Sequence, residues 1–301
     1  MSEERERVLR MLEEGKITAE QAARLIEALG RSRATASRQD EWFAPPRPPR
    51  IPGARMADLD RIPDIVASAV SSAMKSGFGS RGEEARTEFP GKSCLFLKSV
   101  SGDVTVAGWD EERITIESEA GMTRVRERED IVMVRAISGD FNIHLPREAR
   151  LEVTTVSGDV TVRGVGGRFG LKGVSGDVTL EGFKGEARVQ TVSGDVRLDR
   201  AEGRFEVESK SGDIELLSGR AVGGSLVTKS GDVTLRLGPS ADVLLDLECE
   251  GDGSIEFDAG LEHEVIEEGE CRLKVRLGAG ARELKVRTTD AVIAVRRAKE
   301  E

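Results

Sequence analysis

From Thr87 onward apolar and polar residues alternate with a period of two, in short lengths that all keep the same register. Aligning these lengths on a recurring Ser-Gly-Asp yields three columns. Four residues before the serine stand Leu97, Val134, Val153, Leu171, Val189, Val207 and Leu226. Three after it stand Val104, Phe141, Val160, Val178, Val196, Ile214 and Val233, and five after it Val106, Ile143, Val162, Leu180, Leu198, Leu216 and Leu235. Every member is apolar. Residues between the last two columns, such as Thr105, Thr161, Thr179, Arg197, Glu215 and Thr234, are polar. The pattern predicts strands that turn one face to a shared core, each coil contributing the same positions.

The tripeptide occurs as Ser101-Gly102-Asp103, Ser138-Gly139-Asp140, Ser157-Gly158-Asp159, Ser175-Gly176-Asp177, Ser193-Gly194-Asp195, Ser211-Gly212-Asp213 and Ser230-Gly231-Asp232. From the second copy the gaps are 19, 18, 18, 18 and 19 residues, and the first gap is 37. Such a period marks a solenoid. Half a coil away glycine recurs at Gly164, Gly167, Gly182, Gly185, Gly203, Gly219 and Gly223, suiting a second tight corner. The expected fold is mainly β: a single-stranded β-solenoid of about ten 18–19-residue coils over residues 86–301, roughly 50 Å long at ~4.8 Å per strand. The long first gap reads as a coil without the tripeptide or as a hairpin with its tip in the charged residues 124–130. Gly251-Asp252-Gly253 and Thr288-Thr289-Asp290 read as degenerate coils near the end.

Before Thr87 the period is that of helices. Val8, Leu9, Met11 and Leu12 share one face, Gly15 breaks the helix, and Thr18 with Gln21 forms a capping box for a second helix carrying Ala22, Leu25, Ile26 and Leu29. Residues 1–31 are therefore expected to be a helical hairpin. It is too small to bury its stripe alone, so it is expected to dock on a second copy, on the rest of the chain or on a partner, with Leu9, Leu12, Leu25 and Leu29 as the contact to a partner or second copy. Residues 32–57, with Pro45-Pro46-Arg47-Pro48-Pro49, read as an extended linker. Residues 58–78 form an amphipathic helix from Ile62 to Met74, expected to cap the solenoid, with peripheral membrane or partner binding as the other use.

Composition narrows the chemistry. A formal charge of −10 over 301 residues argues against nucleic acid, and the absence of Tyr beside two Trp and nine Phe argues against stacking clefts. No secretion-type core opens the chain and no run of about 18 apolar residues occurs, which points to a cytoplasmic, at most membrane-peripheral protein. Cys94, Cys249 and Cys271 are too scattered for a zinc site or a disulfide framework, although Cys249 and Cys271 could meet across neighbouring strands. The tripeptide invites three readings. Seven copies suit a turn needed in every coil, where an active site is needed once. A calcium ladder on the stacked aspartates is the rival, lacking the nine-residue unit of calcium-binding solenoids. A nucleophile elbow fails because Asp177 stands where that motif needs glycine. His144 and His263 have no partner at catalytic spacing. No cofactor, metal or small-molecule substrate is expected.

The V-S-G-D-V-x-[VL] coil, as at residues 156–162 and 192–198, resembles the bacterial DUF4097 family of β-strand-repeat, adhesin-like proteins. The opening segment, Met11-Leu12-Glu13-Glu14-Gly15-Lys16-Ile17-Thr18 through Ala28-Leu29, is similar to the SHOCT-like hairpin that often precedes that domain. The resemblance implies a solenoid scaffold, linked in some relatives to cell-envelope stress, and carries over no catalytic residue. The expectation is a non-enzymatic scaffold or interaction protein. The alternative is a glycan-binding or glycan-cleaving β-helix, which requires a groove of exposed acidic and aromatic side chains along one face.

Overall fold

Each Ser-Gly-Asp turn joins a strand of one sheet to a strand of a second, so a coil is a flattened loop whose apolar columns meet in the core. In chain order the pairs are β2 (Cys94–Lys98) with β3 (Val104–Trp109), β6 (Ile131–Ala136) with β7 (Phe141–Pro146), and β8 (Arg150–Thr154) with β9 (Val160–Arg163). They continue as β10 (Gly166–Lys172) with β11 (Val178–Glu181), and β12 (Lys184–Ser193) with β13 (Val196–Asp199). The last two with the tripeptide are β14 (Glu202–Ser211) with β15 (Ile214–Ser218), and β16 (Val222–Ser230) with β17 (Val233–Leu237). Two rungs lack it, β18 (Val243–Glu250) with β19 (Ser254–Phe257), and β22 (Arg282–Thr289) with β23 (Val292–Arg297).

These coordinates are a computed structural model that describes residues 85–119, 123–218, 222–258 and 261–298, with no helix among them. The expected hairpin with Leu9, Leu12, Leu25 and Leu29, the linker and the 58–78 helix lie outside the described residues. The first strands of the nine pairs make the body of a 12-stranded sheet (sheet 1) and the second strands that of an 11-stranded sheet (sheet 2). Within each body every neighbouring pair is parallel.

Stacking order departs from chain order at both ends. The Ser138 rung lies outermost, and the Ser101 rung sits between it and the Ser157 rung. At the far end β22–β23, last in the chain, sits between the Ser230 rung and β18–β19. Each end thus has an early or late rung locked between two others, and Arg147 on Asp110 (2.6 Å) ties the Ser138 rung to the Ser101 rung. The 37-residue gap holds β4 (Arg113–Ser118), antiparallel to β7, and the hairpin of β5 (Thr123–Arg128) with β6, turning at Glu129 and Asp130. Beyond β4 lies β1 (Ala85–Pro90). At the other end β21 (Arg272–Leu277) and β20 (Glu264–Gly269) extend sheet 1 antiparallel.

All three apolar columns are buried. Six residues before the serine, Phe169 and Phe205 flank Ala187 in register. The fully buried Phe183 ring fills the space between them, 6.2 Å from Phe169 and 6.1 Å from Phe205. Two residues before the serine runs a buried hydroxyl column, where Ser99, Thr155 and Thr191 donate to the carbonyls of Ser101, Ser157 and Ser193 at 3.0–3.1 Å. A hydroxyl there satisfies a turn carbonyl that the core would otherwise leave unpaired.

Candidate interaction surface

The tripeptide is built into the stack at each of its three residues. The backbone N–H of Asp103 donates to the Asp140 carboxylate (2.9 Å), that of Asp159 to Asp103, and that of Asp177 to Asp159 (2.8 Å). Asp195, Asp213 and Asp232 continue the series at 2.9 Å. Val292 N–H closes onto Asp232 at 2.9 Å, and Asp252 N–H onto Asp290 at 3.1 Å. Serine hydroxyls donate to the carbonyl preceding the neighbouring serine: Ser101 to Ile137, Ser157 to Val100, Ser175 to Val156 and Ser193 to Val174, at 3.1–3.4 Å. The glycine lets the turns approach so closely that its neighbour's backbone occupies the place of a side chain. Serine, glycine and aspartate together therefore form a third ladder beside the two sheets, made of side-chain and backbone bonds between rungs.

The outward rows lie on the other surfaces. At several places they alternate in sign from rung to rung. On sheet 2 Arg163 meets Glu181 (2.8 Å) and Glu215 meets both Arg197 (2.6 Å) and Arg236 (3.3 Å). On sheet 1 Arg168 faces Glu186 (3.5 Å) and Arg188 faces Glu206 (3.8 Å). Exposed pairs of this kind are worth at most about 1 kcal/mol each. They favour the native register and tie these glutamates to cations, which is not the free acidic groove a glycan-cleaving face requires.

One end of sheet 1 breaks the alternation. The register sets Arg124 beside Arg135, Arg135 beside Lys98, Lys98 beside Thr154, and Thr154 beside Lys172. Four cations thus share a single row of five strands, ~19 Å long at ~4.8 Å per step. The next row runs Arg126, the buried Met133, Phe96 and Glu152, with Arg150 over the Phe96 ring at 5.9 Å and paired to Glu152 at 3.3 Å. Burial, then repulsion from Arg135 and Lys172, pulls the Lys98 ammonium down to about 8. Burial, then Arg126 and Arg124, pulls Arg135 down to about 10. The patch was legible in the alignment, three residues before the serine, where Lys98, Arg135 and Lys172 stand; reading only the apolar columns misses it.

The lowered Lys98 fixes a sign. The unfolded chain keeps that proton up to the ordinary lysine value, whereas the folded rod releases it near pH 8, so this group makes the rod more stable as pH rises above about 8. Lys98→Met is expected to raise the urea midpoint at neutral pH and to flatten that climb; an unchanged slope between about pH 7 and about pH 10 would show that Lys98 is not its source.

The remaining reactive groups are dispersed. His144 packs on Trp109 (5.2 Å), itself covered by Arg113 (5.1 Å), and His263 packs on Phe257 (4.6 Å) with Nδ1 2.7 Å from the Leu261 carbonyl. Cys249 N–H donates to the Cys271 carbonyl (2.9 Å), so β18 and the turn leading into β21 bring these two together, and all three cysteines are free thiols. Burial, then the Cys271 thiol, raises the Cys249 thiol above its ordinary value, and burial raises that of Cys94 to about 11. Among the described residues no three His, Cys, Asp or Glu side chains gather as a metal site, and no helix is long and apolar enough to cross a membrane.

A family model described as Toastrack DUF4097 matches residues 92–167 and 165–296, and one described as a SHOCT-like domain matches residues 3–34. Among solved structures, a candidate cell adhesion protein from Clostridium sporogenes is 14% identical, over 71% of this chain and 100% of that chain, with a TM-score of 0.29. A candidate adhesin from Bacteroides fragilis is 14% identical over 71% of this chain and 97% of that one, with a TM-score of 0.42. No curated protein matches the chain.

Proposed function

Because the chain belongs to the Toastrack DUF4097 family, with a SHOCT-like segment ahead of the repeats, we propose that it is a non-enzymatic scaffold whose sheet faces dock protein partners. The observation that carries this reading is the use of the tripeptide. The groups that look most like chemistry, the serines and aspartates of the seven copies, lie where turns stack, and the bonds of all seven aspartates and of four serine hydroxyls run between rungs. What a partner meets is the outward rows. The row of Arg135, the largely buried Lys98 and Lys172 is the strongest single-sign feature among them, and holding like charges together beside the half-buried Phe96 suits an acidic protein segment.

The SHOCT-like segment supplies the second contact in this proposal, through Leu9, Leu12, Leu25 and Leu29, to a partner or a second copy. An envelope-stress role fits a rod that brings two partners together, one on each contact. The reading is tested with a labelled polyglutamate peptide carrying interspersed leucines, followed by fluorescence anisotropy on the full chain. Lys98→Glu with Lys172→Glu is expected to weaken binding at least tenfold, and added salt to weaken it further. Equal binding by the parent and the double variant would remove the basic row from the function. Leu25→Asp leaves this signal intact.

A further inference from the structure

Sheet 1 ends in two strands of opposite character. Among the described residues the large hydrophobic side chains standing exposed are Val125 (36%), Val265 (47%) and Ile266 (44%), and all three lie on its terminal strands, β5 and β20. Exposed edge strands template pairing with another chain, and natural edges suppress it with charged side chains among other devices. Here the two edges carry opposite signs.

The faces also correspond. Directly opposed residues of an antiparallel pair point to the same side. Val125 is opposite the core residue Val134, which puts it on the core side of β5, while Arg124 and Arg126, opposite Arg135 and Met133, are on the outer side. On β20 Val265 is opposite the buried Val275, so it too is core-side, whereas Glu264 and Glu267 are opposite Arg276 and Lys274 on the outer side. The pairing shifts register between Val265 and Glu267, leaving Ile266 in the irregularity. Each edge therefore sets one valine toward the core, with Glu127 and Glu268 further along the same side, and its outer side is cationic at one end and anionic at the other.

Strand direction completes the match. The rung strands of sheet 1 run parallel from β6 to β18, β5 runs against them, and β20, antiparallel to β21, runs with them. Two copies placed end to end in the same sense bring β20 of one against β5 of the next in antiparallel fashion. We infer that the protein associates head to tail with copies of itself through these two edges, extending sheet 1 from one molecule into the next. Setting Val265 across from Val125 places Glu264 by Arg126 and, past the irregularity, Glu267 by Arg124. Glu264 and Glu267 already meet Arg276 (2.8 Å) and Arg272 (3.9 Å), so the joint would continue an existing ladder of alternating charge. It would also place carboxylates near the end where Arg124 and Arg126 press on Arg135.

A two-fold dimer is disfavoured, because it would set arginine against arginine or glutamate against glutamate. The contact is heterologous and does not close, so it forms an open series. This inference is separate from the docking of an acidic partner on Lys98 and Lys172, and the two are tested by different variants.

The experiment is sedimentation velocity on the full chain over a wide concentration range. The parent is expected to show a weight-average sedimentation coefficient that grows with concentration and shrinks with added salt. One variant carries Arg124→Glu and Arg126→Glu, making both its edges acidic; the other carries Glu264→Arg and Glu267→Arg, making both basic. Each alone is expected to sediment as a single species with no concentration dependence. Mixed in equal amounts, they are expected to recover the growth of the parent, which also shows that both are folded. A parent that stays one size at every concentration overturns the inference, as does growth in either variant alone or a mixture that behaves as the sum of its parts. Leu25→Asp leaves the growth unchanged if the edges are the contact; its loss in that variant would assign association to the SHOCT-like segment instead.

Discussion

Gly194→Ala lowers the free energy of unfolding by about 3 kcal/mol or more in urea denaturation, whereas Gly182→Ala costs only about 1 kcal/mol. Both glycines have positive φ, 112° at Gly194 and 61° at Gly182, so an L-residue is strained at each by about 1–3 kcal/mol. They differ in what surrounds them. A Cβ at Gly182 meets nothing within 4 Å, while one at Gly194 would run into the Gly176 carbonyl, its carbon 2.7 Å away and the Gly176 nitrogen 3.2 Å away. The obstacle is backbone, and that backbone is held by Ser193 N–H on the Val174 carbonyl and by Asp195 N–H on Asp177. The turns must separate or the alanine must leave its turn geometry. Equal losses at the two sites would mean that φ strain alone, and not the close approach of the turns, requires the glycine.

Phe183→Ala is expected to cost about 3–5 kcal/mol, the range for emptying a buried aromatic site. Its ring lies between Phe169 and Phe205 in the space left by Ala187, and parallel rungs hydrogen-bonded on both sides cannot close up to fill the cavity. Phe183→Leu keeps most of the volume and is expected to cost less than half as much. Equilibrium denaturation of the pair checks this. A loss below about 1 kcal/mol for the alanine variant would place the ring outside the core.

What makes a rung was legible in the chain, and which rung neighbours which was not. Leu97, Val104 and Val106 identify a coil through its alternation and its turn, but every coil offers the same columns, so nothing in the Ser101 coil says that its neighbours are the Ser138 and Ser157 coils. Long-range strand pairing decides that, and the order emerges only once β4 and the β5–β6 hairpin occupy the edge. The hairpin reading of the 37-residue gap anticipated part of this detour, and the two degenerate coils are rungs whose order in the stack is the reverse of their order in the chain. The buried hydroxyls at Ser99, Thr155 and Thr191 escaped notice because a polar residue on a core face contradicts the alternation; they are explained by the turn carbonyls they satisfy. The basic row and the two edge strands also lay outside the apolar columns, in residues whose proximity depends on the stacking order.

The tripeptide is a hydrogen-bonding ladder between rungs, and Asp195, in the middle of the stack, shows whether its aspartate is there for that bond. Its carboxylate accepts the Asp213 N–H at 2.9 Å while carboxylates of the neighbouring rungs stand one strand away on either side. Urea denaturation of Asp195→Ala and Asp195→Asn is measured in chelator and again with added calcium. The ladder predicts that alanine costs about 1–2 kcal/mol through the orphaned N–H, that asparagine, which keeps the acceptor and removes a repelling charge, equals or exceeds the parent, and that calcium changes neither result. The claim is contradicted if asparagine is as damaging as alanine and calcium stabilises only the parent, since aspartate would then be present for its charge.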